Sequence, residues 1–113
     1  MITRHRVTTR RPSALQVRET LSAAPQNLPA GPEERVRLVE RKLRTAEPTR
    51  LAEIVRDLAW CQRSGGANRH DVRLLRRADR ELTRWLARQT GEERLWARRR
   101  MWGLVARTIS RFS

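Results

Sequence analysis

The chain has 113 residues and a formal charge of +14 at pH 7. That length bounds it to one domain with a modest core. Lys42 is the only lysine, and the rest of the 26 lysines and arginines are arginine. Coding bias contributes to such a composition, but guanidinium groups also suit phosphate and base recognition better than ammonium groups do. So much charge on so short a chain points to a polyanionic partner, nucleic acid first. Cys61 is the single cysteine, which excludes an intramolecular disulfide and fits a reducing cytoplasm. No apolar run approaches the roughly 18 residues that a membrane span needs.

Gly and Pro are sparse, and apolar residues recur at helical spacing throughout, so the expected fold class is all-α. Residues 1–12, with "MITRHRVTTRR", lack the apolar run of a signal peptide. They read as a disordered basic arm or the stub of an upstream segment. The domain proper is expected over 13–113. "SALQVRETLSAA" predicts a short first helix, with Ser13 and Gln16 in capping-box positions and Leu15, Val17 and Leu21 on an apolar side. "PQNLPAGP" then breaks the chain. A second helix is expected over about 33–45, with Val36, Val39 and Leu43 as its apolar stripe.

Pro48 suits the first position of a third helix over about 48–63. Leu51, Ile54, Val55, Leu58 and Cys61 cluster within a third of its wheel, and Trp60 lies opposite. "SGGAN" ends it. Asn68 caps a fourth helix, with Asp71 three residues on. Leu74, Leu75, Ala78, Leu82, Trp85 and Leu86 fall in one arc of that helix. Arg73, Arg76, Arg77, Arg80, Arg84 and Arg88 fall in the opposite arc, a one-sign face where a merely solvated helix usually mixes signs. A fifth helix is expected over about 91–111. After Glu93 it has no acidic residue, while Arg94, Arg98, Arg99, Arg100, Arg107 and Arg111 follow. The architecture implied is a compact bundle of four longer helices and one short one.

"KLRTAEPTRLAEIVRDLAWCQRSGG", followed by "RLLRRADRELTRWLA", resembles the C-terminal helical domain of the CarD/CdnL family of bacterial transcription regulators. "LAEIVRDL" is the most specific part, and the likeness covers roughly residues 14–106. Members generally join an N-terminal Tudor-like β domain, which grips RNA polymerase, to a helical domain. The helical domain contacts promoter DNA at the upstream edge of the transcription bubble. The resemblance therefore implies sequence-tolerant DNA contact in support of transcription, with RNA polymerase a possible partner and a nucleoid-associated, cytoplasmic location. Arg35 and Arg37 match basic positions of the family's second helix. Three departures stand against full equivalence. These residues show no counterpart of the β domain. Pro32 takes the position where relatives often carry a tryptophan wedge. Cys61 and Val72 fall where relatives carry basic residues. The basic last helix is also this chain's own, since relatives have a more acidic one.

The candidate DNA-contacting residues are Arg35, Arg37, Arg41 and Arg44 on the second helix and Arg73, Arg76, Arg77, Arg80 and Arg84 on the fourth. Trp96, Arg99 and Arg100 complete the set on the fifth. Each has a bland counterpart, a solvated face with local pairs worth well under about 1 kcal/mol. In "LWARRRMW" the wheel assigns Trp102 to the core with Leu95, Val105, Ala106 and Ile109, and Trp96 to the basic side. Trp96 is then either a contact residue or packed under an arginine or the N-terminal arm. Trp85 is expected in the core. Trp60 either packs on a neighbouring helix or stacks on a partner.

His5, His70 and Cys61 have no metal-ligand spacing, no glycine-rich phosphate loop is present, and the carboxylates interleave with arginines. Neither a cofactor nor an enzymatic activity is expected. The leading expectation is a DNA-binding transcription module. The alternative is a helical protein-interaction module docking on RNA polymerase, a sigma factor or another acidic protein without touching DNA. A weaker third is RNA or ribosome association. Oligomeric state is not legible.

Overall fold

The computed structural model describes residues 12–113, so the arm expected at the N-terminus lies almost wholly outside the described residues. Five helices follow one another: α1 (Ala14–Ser22), α2 (Pro32–Thr45), α3 (Pro48–Arg63), α4 (Arg69–Thr90) and α5 (Arg94–Phe112). The described part is an all-α bundle. α3 lies at its centre and packs against the other four, most extensively against α4.

Local chemistry sets most of the boundaries. α1 starts at a complete capping box: the Gln16 amide donates to Ser13 Oγ (3.2 Å) and the Ser13 amide to Gln16 Oε1 (2.8 Å). α2 and α3 each open on a proline, Pro32 and Pro48, whose missing N–H is no loss at a first helical position. α4 opens on a second capping box, Asn68 with Asp71, at 2.9 and 2.8 Å. It closes at Gly91, whose φ of 73° only glycine adopts freely. That left-handed residue stops the chain from continuing helically, so α5 begins at Arg94 rather than near residue 91.

The core runs from Val17 and Leu21 of α1 through Val39 and Leu43, Leu51 to Ala59, Leu74 to Ala87, and Ala97 to Ile109. It differs from the wheel readings in three places. Leu15 is exposed, leaving α1 with only Val17 and Leu21 buried. α3 is buried on nearly every side, because its central position leaves little of it facing water. In α5 the buried line is Ala97, Met101, Val105, Thr108 and Ile109, while Leu95 and Ala106 face outward. The axis of that line is Met101 and the small Thr108, whose hydroxyl reaches the Leu21 carbonyl of α1 at 2.8 Å. Trp85 and Trp102 pack on the core from its edge and are partly exposed.

Arg35 overturns its expected role. It is 4% exposed and lies on the inward stripe with Val39 and Leu43. Its Nε and Nη2 donate to the two carboxylate oxygens of Asp71 at 3.0 and 2.8 Å. Nη1 donates to the carbonyls of Pro29 and Ala30 at 3.1 and 3.3 Å. Four hydrogen bonds hold this guanidinium inside the protein, and its burial withholds it from a phosphate.

Burial alone would push the Asp71 carboxyl up. The Arg35 guanidinium and the Asn68 amide outweigh it and hold the group below the ordinary carboxylate value. A depressed folded pKa means the stabilisation is fully present above the unfolded value, about 4. It is lost as pH falls through the folded value. Removing either partner leaves a buried charge, so Arg35→Ala or Asp71→Ala should cost about 3–5 kcal/mol in urea denaturation. Arg37→Ala should cost almost nothing. Loss of stability of the parent below about pH 4, with a flatter acid limb in Asp71→Asn, is the pH signature to measure.

Candidate nucleic-acid interface

Among the described residues, most arginines lie on exposed helix faces. Arg73, Arg76, Arg77, Arg80, Arg84 and Arg88 of α4 are all exposed, as the wheel requires. Arg76, Arg80 and Arg84 follow at i, i+4 and i+8, so they stand in a row about 6 Å apart along the helix axis. α5 packs beside α4 and adds Arg94 and Arg98, making a groove of about 400 Å3 with five arginines around it.

One carboxylate reaches that groove. Asp79 is 4% exposed and accepts from Arg98 Nη2 and Nε at 3.0 and 3.1 Å and from the Thr83 hydroxyl at 2.9 Å. It therefore positions Arg98 and leaves the other four cations unneutralised. Arg76, Arg80, Arg84 and Arg94 have no carboxylate within 4.0 Å among the described residues. The groove presents a run of cationic groups. Among the described residues no group of His, Cys, Asp or Glu could hold a metal ion.

Arg94 and Arg98 were not nominated from sequence. Their signal was spacing: with Met101 and Val105 they make one side of α5, so an arginine there must point along the α4 seam.

The remaining nominated residues fall into separate patches. Arg37, Arg41 and Arg44 are exposed on α2, which touches α3 and α4 but not α5. Arg37 approaches Glu33 at 3.6 Å, a pair too exposed to matter energetically. Arg77 pairs with Glu81 at 3.1 Å and Arg100 with Glu92 at 3.0 Å. Arg99 stands over the Trp96 ring at 5.2 Å from its centroid. Trp96 is still 52% exposed, so the arginine lies on the indole without hiding it. Trp60 is a packing residue: it lies against the core, and its indole N–H points at Asn27 Oδ1 at 3.3 Å. His70 is exposed and Cys61 partly buried.

Fold and surface together define an arginine-faced, all-α module. The family model for the CarD C-terminal domain matches residues 16–100. This chain belongs to the CarD C-terminal domain family and is a CarD-like, transcription-related module. No curated protein matches it, and no solved structure does. No helix among the described residues is long and apolar enough to cross a membrane.

The two tryptophans of "LWARRRMW" should separate in experiment. Trp102→Ala removes a ring packed on the core and should cost about 2 kcal/mol or more. Trp96→Ala should cost about 0.5 kcal/mol or less, as an exposed substitution. The Trp102 indole N–H is buried with no hydrogen-bond partner among the described residues. Trp102→Phe removes that unpaired donor and should therefore keep stability within about 1 kcal/mol of the parent. Thermal and urea unfolding of the three variants checks the ordering.

Proposed function

We propose that this chain is a DNA-contacting module of the transcription machinery, gripping the phosphate backbone of promoter DNA near the upstream edge of the transcription bubble. The observation that carries this reading is the α4–α5 groove. It presents Arg76, Arg80, Arg84 and Arg94 without carboxylate partners on two helices that pack rigidly against each other. Membership of the CarD C-terminal domain family supports transcription as the setting. The grip is on the backbone, since arginines spread along a helix face meet phosphates whatever the sequence. Arg73 and Arg77 extend the positive field of α4, Arg99 and Arg100 carry charge on the other side of α5, and the α2 cations Arg37, Arg41 and Arg44 form an outlying patch. Location on the nucleoid follows from this reading. So does a shared complex with RNA polymerase bound to the same promoter.

Pro32 begins α2 where relatives often insert a tryptophan. The aromatic this chain offers instead is Trp96, half exposed and on the side of α5 away from the α4–α5 groove. An exposed indole beside arginines stacks on unpaired bases, as a bubble edge presents them.

Binding to a fork-junction promoter DNA should fall steeply with salt. Four neutralised phosphates give a log–log slope of about −3.6, roughly a hundredfold loss between 50 and 200 mM salt. Arg80→Ala with Arg84→Ala should flatten the slope by about two units and weaken all sequences alike. Trp96→Ala should reduce the preference for fork junction over duplex and leave the slope unchanged. Salt-independent binding, or none at low salt, overturns the proposal.

A further inference from the structure

The other side of α5 carries a second groove, shared with α1, of about 540 Å3. More apolar side chains line it than line the first. Leu21, Leu86, Met101 and Leu104 line it, and Leu15, 62% exposed, stands on it. Arginines surround this apolar floor. Arg18, Arg99 and Arg107 have no carboxylate within 4.0 Å among the described residues, whereas Arg100 is held by Glu92 at 3.0 Å. Glu19 is the other acidic residue there, so the rim remains cationic.

Gly103 sits in the middle of α5 and lines this groove. A glycine inside a helix costs stability relative to alanine. Nothing within the described residues requires it. An added Cβ would meet only Arg107 Nη1, at 3.7 Å, an ordinary contact with the end of a flexible side chain. Gly103 therefore lowers helix stability without relieving any internal crowding. What it does is leave the groove wall bare, so that another backbone can approach α5 closely.

We propose that the α1–α5 groove receives an acidic amphipathic helix of a protein partner. Apolar side chains of such a helix fill the floor, its backbone passes over Gly103, and its carboxylates meet Arg18, Arg99 and Arg107. Duplex DNA matches the rim but brings little apolar surface for the floor. The chain's own N-terminal segment is also a poor match, because it carries Arg4, Arg6, Arg10 and Arg11 and no acidic residue against a positive rim. The groove is separate from the α4–α5 groove, so this inference does not depend on DNA binding.

The test uses the full chain and a fluorescein-labelled peptide of about 16 residues with leucines at helical spacing and glutamates elsewhere. A scrambled peptide of the same composition and a leucine–lysine version serve as controls. Anisotropy at about 0.15 M salt should show binding of the acidic amphipathic peptide alone. Gly103→Ala should raise the Tm of the free protein and weaken peptide binding. Gly103→Leu or Leu15→Asp should weaken it about tenfold or more. Arg80→Ala with Arg84→Ala should leave it unchanged, and Gly103→Leu should leave fork-junction DNA binding unchanged. No peptide binding, equal binding of the scrambled peptide, or indifference to both Gly103→Leu and Leu15→Asp overturns the inference. Each surface thus stands or falls by its own variants.

Discussion

The fold depends on a charge pair sealed from water. Arg35 and Asp71 meet through two parallel hydrogen bonds, and both are nearly without solvent contact. Such a pair adds little stability over a well-packed apolar substitute, yet breaking it is severe. Its value here is connection. The Arg35 guanidinium ties α2 to α4 and holds the carbonyls of Pro29 and Ala30 in the segment before α2. Asp71 accepts the Asn68 amide as well, so the same carboxylate closes the α4 cap. One pair therefore sets where α4 begins, where α2 lies upon it, and how the chain enters α2.

Two further acidic residues act in the same way. Asp57 holds Arg56 at 2.8 Å and accepts the Gln26 amide at 2.9 Å, while Arg56 donates to the Thr20 carbonyl at 2.9 Å. This closes the end of α1 and the loop after it onto α3. Asp79 steadies Thr83 and Arg98 at the α4–α5 seam. Three of a small stock of carboxylates thus lie buried as organising centres, each facing arginine. Each takes one arginine with it, so the surplus outside is that of the composition, 26 lysines and arginines against 12 acids.

Residue spacing explains what the sequence disclosed and what it concealed. Helix starts were legible because a cap is a contract between residues three apart: Ser13 with Gln16, Asn68 with Asp71. The arginine face of α4 was legible because opposite arcs of one wheel separate cleanly. Arg35 was misread because a charge on a helix counts as outward by default. Its inward place was written only in the i, i+4, i+8 stripe with Val39 and Leu43, and its partner is 36 residues away. "LAEIVRDL" marked the family, yet its Arg56 and Asp57 hold α1 rather than a ligand. The wheel of α5 was turned by its bulky side chains. Trp102 and Leu95 outweighed Met101 and Thr108, although Thr108 is the residue whose hydroxyl reaches α1. For the candidate interface, the α4 side could be read directly. The α5 side needed the seam, which exists only once the two helices are packed.

α5 forms a wall of both grooves, and this places its charge in a particular position. From Arg94 to Arg111 it has no acid of its own, and Asp79 and Glu92 supply the carboxylates that hold Arg98 and Arg100. Crowded like charges raise the free energy of the folded chain when nothing is bound. An anionic partner on either side relieves that repulsion and so binds the folded form selectively, which raises its stability by mass action. The two faces differ in what they present to an anionic partner. Toward α4 the wall is a row of arginines, with Asp79, Thr83 and Leu95 between them. Toward α1 it is arginine around leucine and methionine, with the Gly103 gap. A single helix without acids can serve both, because the groups opposite it, not its own charge, decide which kind of anion fits.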